Sequence, residues 1–244
     1  MKIVSFNIGA KGLRHFTGPR AGDFADRLQG DLAFFTSKFE AVALQEVSET
    51  WTQRISEWLL PGWQAERDAC HEQALVMVWG PSVRALPCAN TGRSTESTRV
   101  FAPGPSQYRD WRRHQVAVFQ KRSGTTYVVS NSHTINGTGY RTIPGSGPKA
   151  MRFGQQALQA AVEAVQAKAR GLAKRSTHSV AWVVIGDFNM KKEAARSLLQ
   201  AMPDNIVEGA VLTGHAKRDL VVAGGQLACI ETFVQDRINL LPPC

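Results

Sequence analysis

Apolar positions recur along the chain with two different periods, and each period predicts a different kind of element. Spacing by three and four residues, typical of one face of an amphipathic helix, predicts helices over residues 23–39 and 150–174. Two shorter helices are predicted, one just before Pro61-Gly62 and one of about ten residues after Asn189. The stripes of the two long helices are Phe24, Leu28, Leu32, Phe35 and Phe39, and Leu158, Val162, Val165, Ala169 and Leu172.

Short apolar runs between these helices predict strands. Residues 87–110 and 136–148 are instead rich in Thr, Ser, Gly and Pro, which predicts two long surface loops. Several strands follow one another without a helix between them, so antiparallel sheets flanked by helices are favoured over a doubly wound parallel sheet. The predicted strands are residues 2–9, 41–47, 74–79, 115–120, 126–132, 180–186, 206–212, 219–223 and 227–234.

The chain of 244 residues contains neither an internal repeat nor an interdomain linker, so a single domain over residues 1–244 is expected. No apolar run approaches the length of a membrane span. The N-terminal apolar stretch is interrupted by Ser5 and Asn7 and is too short for a signal peptide. We therefore expect an intracellular protein, or one from which a leader has been removed.

The formal net charge of +9 changes this picture, because it suits a polyanionic partner such as nucleic acid or an anionic membrane surface. A basic protein without such a partner is the alternative. None of the four cysteines lies at zinc-ligand spacing. Reduced thiols are the expectation, and disulfides are the alternative. These cysteines are Cys70, Cys88, Cys229 and Cys244.

Polar side chains mark the ends of five predicted strands. Each one alone is commonly a capped strand end, but five of them together favour a functional site. Asp, Glu and Asn are oxygen donors that suit hard cations such as Mg²⁺, Mn²⁺ or Ca²⁺. Histidine can donate to a phosphate oxygen or transfer a proton, so the set predicts metal-assisted phosphoryl chemistry. The residues are Asn7, Glu46, His133, Asp187 with Asn189, and Asp219.

The motifs that hold these residues are SFNIG, LQEV, SNSHT, GDFN and KRDLVVAG, and they run in this order from Ser5 to Gly224. In kind and order they resemble the exonuclease–endonuclease–phosphatase superfamily, which includes pancreatic-type deoxyribonuclease and abasic-site endonucleases. LQE and GDFN are the most specific of them. The resemblance implies an α/β (α+β) four-layer sandwich, with two mainly antiparallel sheets face to face and helices outside.

The resemblance also implies a divalent-metal-dependent phosphodiesterase that uses Mg²⁺ or Mn²⁺. An endonuclease that cleaves DNA or RNA with low sequence specificity is the leading expectation, acting as a monomer on nucleic acid. Two alternatives stay open. One is a phosphoesterase on a lipid or inositol phosphate head group, and the other is a catalytically impaired homologue that binds without cleaving.

Roles at the metal follow from the same resemblance. Glu46 is implied as the main metal ligand, and Asn7 lies beside it. Asp187 is implied to orient or deprotonate the attacking water, and Asn189 to hold a phosphate oxygen.

Roles around the phosphate are implied for three further residues. His133 resembles the histidine that stabilises the pentacovalent phosphate, and Asp219 resembles the acid that pairs with a second histidine near the C-terminus. Glu72 begins the strand where nuclease members place a carboxylate that orients the first histidine; an exposed strand-end glutamate is the alternative.

The match fails near the C-terminus, in VQDRINLLPP. Asp236 matches a family aspartate at the metal, but Arg237 stands where the family has histidine. Arginine stays protonated and cannot accept a proton from water, although it can clamp a phosphate. Four accounts remain open: a weakened enzyme, Asp187 as the only base, another histidine such as His215, or a truncated tail.

Arginines begin one predicted strand, in the segment RDWRRHQ. Nuclease members carry arginines that contact the DNA backbone at the corresponding place. Arg112 and Arg113 alternate between the faces of a strand, so one of them is expected to contact a phosphate. A solvated sheet edge is the alternative interpretation. His114 and Arg93 are further candidates for the same basic face.

Overall fold

The computed structural model describes residues 1–8, 20–68, 74–88, 92–99, 112–134, 147–188, 190, 192–202, 211–214 and 219–225. These residues form four helices and eleven strands. The helices are α1 (Arg20–Lys38), α2 (Glu49–Trp58), α3 (Gly147–Ala173) and α4 (Lys192–Ala201). The strands are β1 (Ile3–Asn7), β2 (Ala41–Val47), β3 (Gln64–Arg67), β4 (Ala74–Trp79), β5 (Val83–Ala85), β6 (Thr95–Arg99), β7 (Arg112–Lys121), β8 (Thr126–Thr134), β9 (Val180–Asp187), β10 (Val211–Gly214) and β11 (Asp219–Gly225).

The strands form two sheets. The first sheet has the order β1-β2-β4-β3, and the second has the order β10-β11-β9-β8-β7-β5, with β6 also paired to β7. The pairs β1–β2 and β8–β9 are parallel, and the other described pairs are antiparallel. The prediction of mainly antiparallel sheets is therefore confirmed.

Three apolar cores separate four layers. Leu32 and Phe35 of α1 and Ile55 of α2 pack on the outer face of the first sheet. Met77 and Phe119 belong to the core between the two sheets. The third core, between the second sheet and helices α3 and α4, is built from Leu158, Val162, Val165, Val184, Phe188 and Leu199. The predicted four-layer sandwich, with helices outside two facing sheets, is confirmed.

The long apolar patterns predicted their elements closely, whereas short strands were missed. The helices predicted over 23–39 and 150–174 are α1 and α3, and residues 41–47 and 74–79 form β2 and β4 as predicted. The short strands β3 and β5 had no clear alternation.

The loop predicted over residues 87–110 is wrong in part, because Thr95–Arg99 form β6. These five residues are polar. They form a strand because they pair with β7, from Thr95↔Ala117 to Arg99↔Arg113. The strand predicted at 227–234 and most of the loop at 136–148 lie outside the described residues.

No helix within the described ranges combines the length and apolar character that crossing a membrane would require. The single domain expected over residues 1–244 stays a prediction.

Candidate functional site

Four of the predicted site residues meet at one end of the two sheets. Asn7 ends β1 and Glu46 lies near the end of the parallel neighbour β2. His133 and Asp187 occupy the same position in the register of the parallel strands β8 and β9. Since parallel neighbours finish at the same edge of a sheet, the topology brings these strand ends together.

One amide joins the two carboxylates. Asn7 Nδ2 donates to Glu46 Oε1 at 3.2 Å and to Asp187 Oδ2 at 3.0 Å. Asp187 belongs to the second sheet, whereas Asn7 and Glu46 belong to the first, so this contact spans the space between the sheets. The predicted proximity of Asn7 to Glu46 therefore holds, and Asp187 joins them.

His133 lies beside the same carboxylate. Its Nε2 is 3.2 Å from Glu46 Oε1, and the side chain is buried at 7% exposure. The separation is short enough for an ion pair, but its direction does not meet hydrogen-bond geometry, and Nε2 makes no hydrogen bond to the described part of the chain. A buried nitrogen without a hydrogen bond costs free energy, so this one is well suited to donate to a ligand oxygen.

The backbone of Glu46 is unusual. Its φ is +57°, in the left-handed region that non-glycine residues rarely adopt. The pairing of β2 with β4 shifts here: Leu44 faces Val76 and Val47 faces Ala74, so two residues of β2 lie opposite one of β4. This is a β-bulge, a device that redirects a side chain.

The bulge has a direct consequence for the site. In a regular strand, consecutive side chains point to opposite faces. Gln45 and Glu46 instead both contact the second sheet, through Asn131 and His133 respectively. Because of the bulge, two adjacent side chains of the LQEV motif lie in the space between the sheets.

The structure also explains why the GDFN motif contains a glycine. Gly186 has φ +149°, and a Cβ at this position would lie 1.9 Å from the backbone oxygen of Ser132. Only glycine permits this close approach of β8 and β9 without displacing the backbone. The approach keeps His133 and Asp187 at neighbouring strand ends.

A buried amide pair lies next to the site, and sequence reasoning missed it. Gln45 Nε2 donates to Asn131 Oδ1 at 2.7 Å and to Ser5 Oγ at 3.0 Å. Asn131 Nδ2 donates to the backbone oxygens of Leu44 and Val76 at 3.0 and 3.3 Å. Both side chains are fully buried. The available signal was their spacing: Gln45 precedes Glu46, and Asn131 is two residues before His133 on the same strand face.

Backbone register places three further predicted residues at this end of the second sheet. Asp219 pairs with Asp187, and Arg113 pairs with His133, while Arg112 pairs with Thr134. Nothing is described of these three side chains, so their roles stay predictions. Four predicted site residues lie outside the described part of the chain: Glu72, Asn189, Asp236 and Arg237.

Two candidates for the basic face have other roles. His114 is fully buried on the outer face of the second sheet, two positions from Val116 in the core beneath α3. Burial lowers the pKa of His114 from 6.5 to about 4, so it is neutral near pH 7. Arg93 Nε donates to Glu66 Oε1 at 2.7 Å, which ties the residue to β3.

The donor set fits a hard cation. Across the described ranges, no group of three or more His, Cys, Asp or Glu side chains forms a metal site by itself. Mg²⁺ needs no such cage, because it is usually held by one or two carboxylates together with waters and substrate phosphates. The carboxylate of Glu46 supplies such an oxygen ligand, and the carboxylate of Asp187, which shares Asn7 as a partner, lies beside it.

Comparison with known families and curated proteins gives no match. Solved structures do match over nearly the whole chain. TDP2 of D. rerio complexed with single strand DNA product has a TM-score of 0.57 at 13% identity, over 95% of this chain and 86% of that chain.

Two bacterial structures are similar to the same extent. An endonuclease/exonuclease/phosphatase from Bacteroides vulgatus has a TM-score of 0.56 at 15% identity, over 90% of this chain and 85% of that chain. The mannosyl-6-phosphatase Bt3783 of Bacteroides thetaiotaomicron has a TM-score of 0.57 at 14% identity, over 91% and 85%. The chain therefore has the fold of the endonuclease/exonuclease/phosphatase superfamily, which confirms the resemblance of its motifs at the level of the fold.

Proposed function

We propose that the chain is a divalent-metal-dependent phosphodiesterase that cleaves nucleic acid, as an endonuclease of low sequence specificity. The observation that carries the proposal is the contact of Asn7 with the carboxylates of both Glu46 and Asp187, with His133 beside Glu46. These side chains come from strands of two sheets, and their chemical types are those that phosphoryl transfer requires.

Glu46, Asn7 and the predicted ligand Asp236 would hold Mg²⁺ or Mn²⁺. The bound cation would supply Lewis-acid stabilisation of charge on the phosphate oxygens.

Asp187 is suited to orient the attacking water and to accept its proton. The amide of Asn7 holds Asp187 Oδ2 at 3.0 Å, which fixes the orientation of the carboxylate. His133 is suited to donate from Nε2 to a phosphate oxygen, because this buried atom lies at the site without a hydrogen bond to the described residues.

Charge supports nucleic acid as the substrate. The formal net charge is +9, and a similar fold occurs in TDP2 complexed with single strand DNA product. A second candidate is hydrolysis of a phosphomonoester on a small molecule, because the same fold occurs in a mannosyl-6-phosphatase.

Nicking of supercoiled plasmid tests the proposal. Wild-type protein should nick DNA with Mg²⁺ or Mn²⁺ and not with EDTA. Glu46→Gln and Asp187→Asn should each lower the rate by about 10²–10⁴, the range expected when a catalytic group is removed. Glu57→Gln is the matched control, because Glu57 is an exposed carboxylate on α2, and it should keep the wild-type rate.

Two results would oppose the proposal. Equal nicking by Glu46→Gln and Glu57→Gln would place the activity elsewhere. Absence of nicking by folded wild-type protein, combined with metal-dependent release of phosphate from a sugar phosphate, would select the second candidate.

A further inference from the structure

A cavity of about 410 Å³ lies at the far end of the second sheet from the candidate site. Its walls are β5, the end of β7, the turn between β7 and β8, and the segment that precedes β9. His133 lies seven residues along β8 from Thr126, which is beside this turn. At about 3.3 Å per residue, the cavity is therefore roughly 23 Å from the candidate site.

The cavity is basic. Arg84, Lys121, Arg122 and His178 contribute to its lining, and none of its described lining residues is acidic. Lys121 Nζ is 3.1 Å from Glu40 Oε1, so its charge is already compensated. Arg84 and Arg122 are exposed, and neither forms an ion pair with a described carboxylate.

Strand pairing between β5 and β7 and the imidazole ring of His178 fix the shape of the cavity. Arg84 pairs with Gln120 across β5 and β7, which fixes the position of its backbone at one wall. Gly124 in the turn has φ +89°, and a Cβ there would lie 2.6 Å from the imidazole of His178. The ring therefore lies directly on the glycine, where a larger residue would displace it.

Positive charge continues beyond the cavity. Lys174 and Arg175 follow the end of α3, within four residues of His178, and both are exposed. Guanidinium groups bind phosphate oxygens in paired geometry and keep their charge at any working pH. Several cations at and near one cavity suit a chain of phosphates better than one isolated anion.

We propose that this cavity binds backbone phosphates of a nucleic-acid strand, remote from the candidate site. The inference concerns binding and needs no cleavage, so it can fail or hold independently of the proposed function. Each phosphate that the protein neutralises releases counterions, and the affinity then depends more steeply on salt.

A salt series on a single-stranded oligonucleotide tests the proposal. Binding is measured by fluorescence anisotropy in EDTA, which prevents metal-dependent cleavage. Replacing both arginines, in Arg84→Gln/Arg122→Gln, should lower the slope of log K against log salt by about 1.4, since each single-strand phosphate contributes about 0.7. Affinity at low salt should fall at least several-fold.

The matched control is Arg27→Gln/Arg196→Gln. It removes two exposed arginines from α1 and α4, so the net charge changes equally, and neither residue lines the cavity. We expect this control to have the same slope of log K against log salt as the wild type. Equal loss of slope in the two double variants would overturn the proposal, because total charge would then explain the binding. Thermal unfolding of each variant checks that the fold is retained.

Nuclear magnetic resonance supplies a local readout in the wild-type protein. The oligonucleotide should shift the imidazole signals of His178 and the amide signal of Gly124, and inorganic phosphate should shift the same signals at higher concentration. Shifts caused by inorganic phosphate alone would overturn the assignment to a nucleic-acid strand. Unchanged signals with both probes would exclude the cavity as a phosphate site.

Discussion

At the scale of single residues, Glu46 combines a predicted chemical role with a backbone conformation that the sequence did not reveal. The LQEV motif indicated a metal ligand, and the carboxylate does contact Asn7 and lie beside His133. Its φ of +57° costs about 1–3 kcal/mol for a non-glycine residue. Motifs report chemical groups, whereas this conformation depends on how β2 pairs with β4, so it could not be predicted from the residue type.

His114 shows the opposite outcome. Its place beside two arginines in the sequence suggested a contribution to a basic face, but the ring is 1% exposed and both nitrogens lack hydrogen bonds to described residues. Residue order cannot distinguish the two faces of a strand until the register is known. Here the register opposes His114 to Ser132, on the face toward α3.

The lowered pKa of His114 predicts a loss of stability in acid. Its pKa in the folded protein is about 4, below the ordinary value of 6.5, so the unfolded chain binds the proton more readily between these values. The contribution of neutral His114 to the free energy of unfolding is therefore fully present above pH 6.5. It is lost as the pH decreases toward 4. Between pH 7 and pH 5 the free energy of unfolding should decrease by about 2 kcal/mol on account of this residue.

Urea unfolding at the two pH values measures this effect. The decrease from pH 7 to pH 5 should be smaller in His114→Leu than in the wild type. Gln53→Leu, which replaces an exposed amide on α2, serves as the control and should show the pH dependence of the wild type. An identical pH dependence in the wild type and His114→Leu would contradict the buried, neutral state.

At the scale of elements, apolar periodicity predicted α1, α3, β2 and β4 because burial on one face fixes both pattern and length. Short polar strands such as β6 carry no such pattern and depend on hydrogen bonds to β7. The buried contact between Gln45 and Asn131 was missed for a similar reason. Its partners are 86 residues apart, and only the packing of two sheets brings them together.

Asn131 links β8 to both β2 and β4, so replacing Asn131 should lower the stability of the fold. Asn131→Leu leaves Gln45 Nε2 without one acceptor and removes donors from the oxygens of Leu44 and Val76. Loss of these buried hydrogen bonds should lower the free energy of unfolding by about 1–3 kcal/mol.

Urea unfolding of Asn131→Leu is compared with Gln53→Leu. Gln53 is an exposed amide on α2, and its replacement should change the free energy of unfolding by less than about 0.5 kcal/mol. Equal midpoints for the two variants would mean that the contact between the sheets contributes little.

At the scale of the whole molecule, the four-layer arrangement was predicted only through the resemblance of the motifs. Periodicity gives elements but not their neighbours, and β1 and β9 lie far apart in sequence although Asn7 and Asp187 touch. The four-layer architecture then explains why Asn7, Glu46, His133 and Asp187, from four separate motifs, lie together. Substrate choice depends on surfaces around this site, which the five motifs do not encode.

Binding of Mn²⁺ tests the central claim most directly, because it does not depend on the choice of substrate. Isothermal titration of the wild-type protein should give a site that is filled by Mn²⁺ and competed by Mg²⁺. Glu46→Gln should weaken this binding by about tenfold or more, the minimum expected when a ligand or its supporting group is lost. Glu57→Gln should bind as the wild type. Equal Mn²⁺ affinity in Glu46→Gln and the wild type would contradict a metal centre built on Glu46.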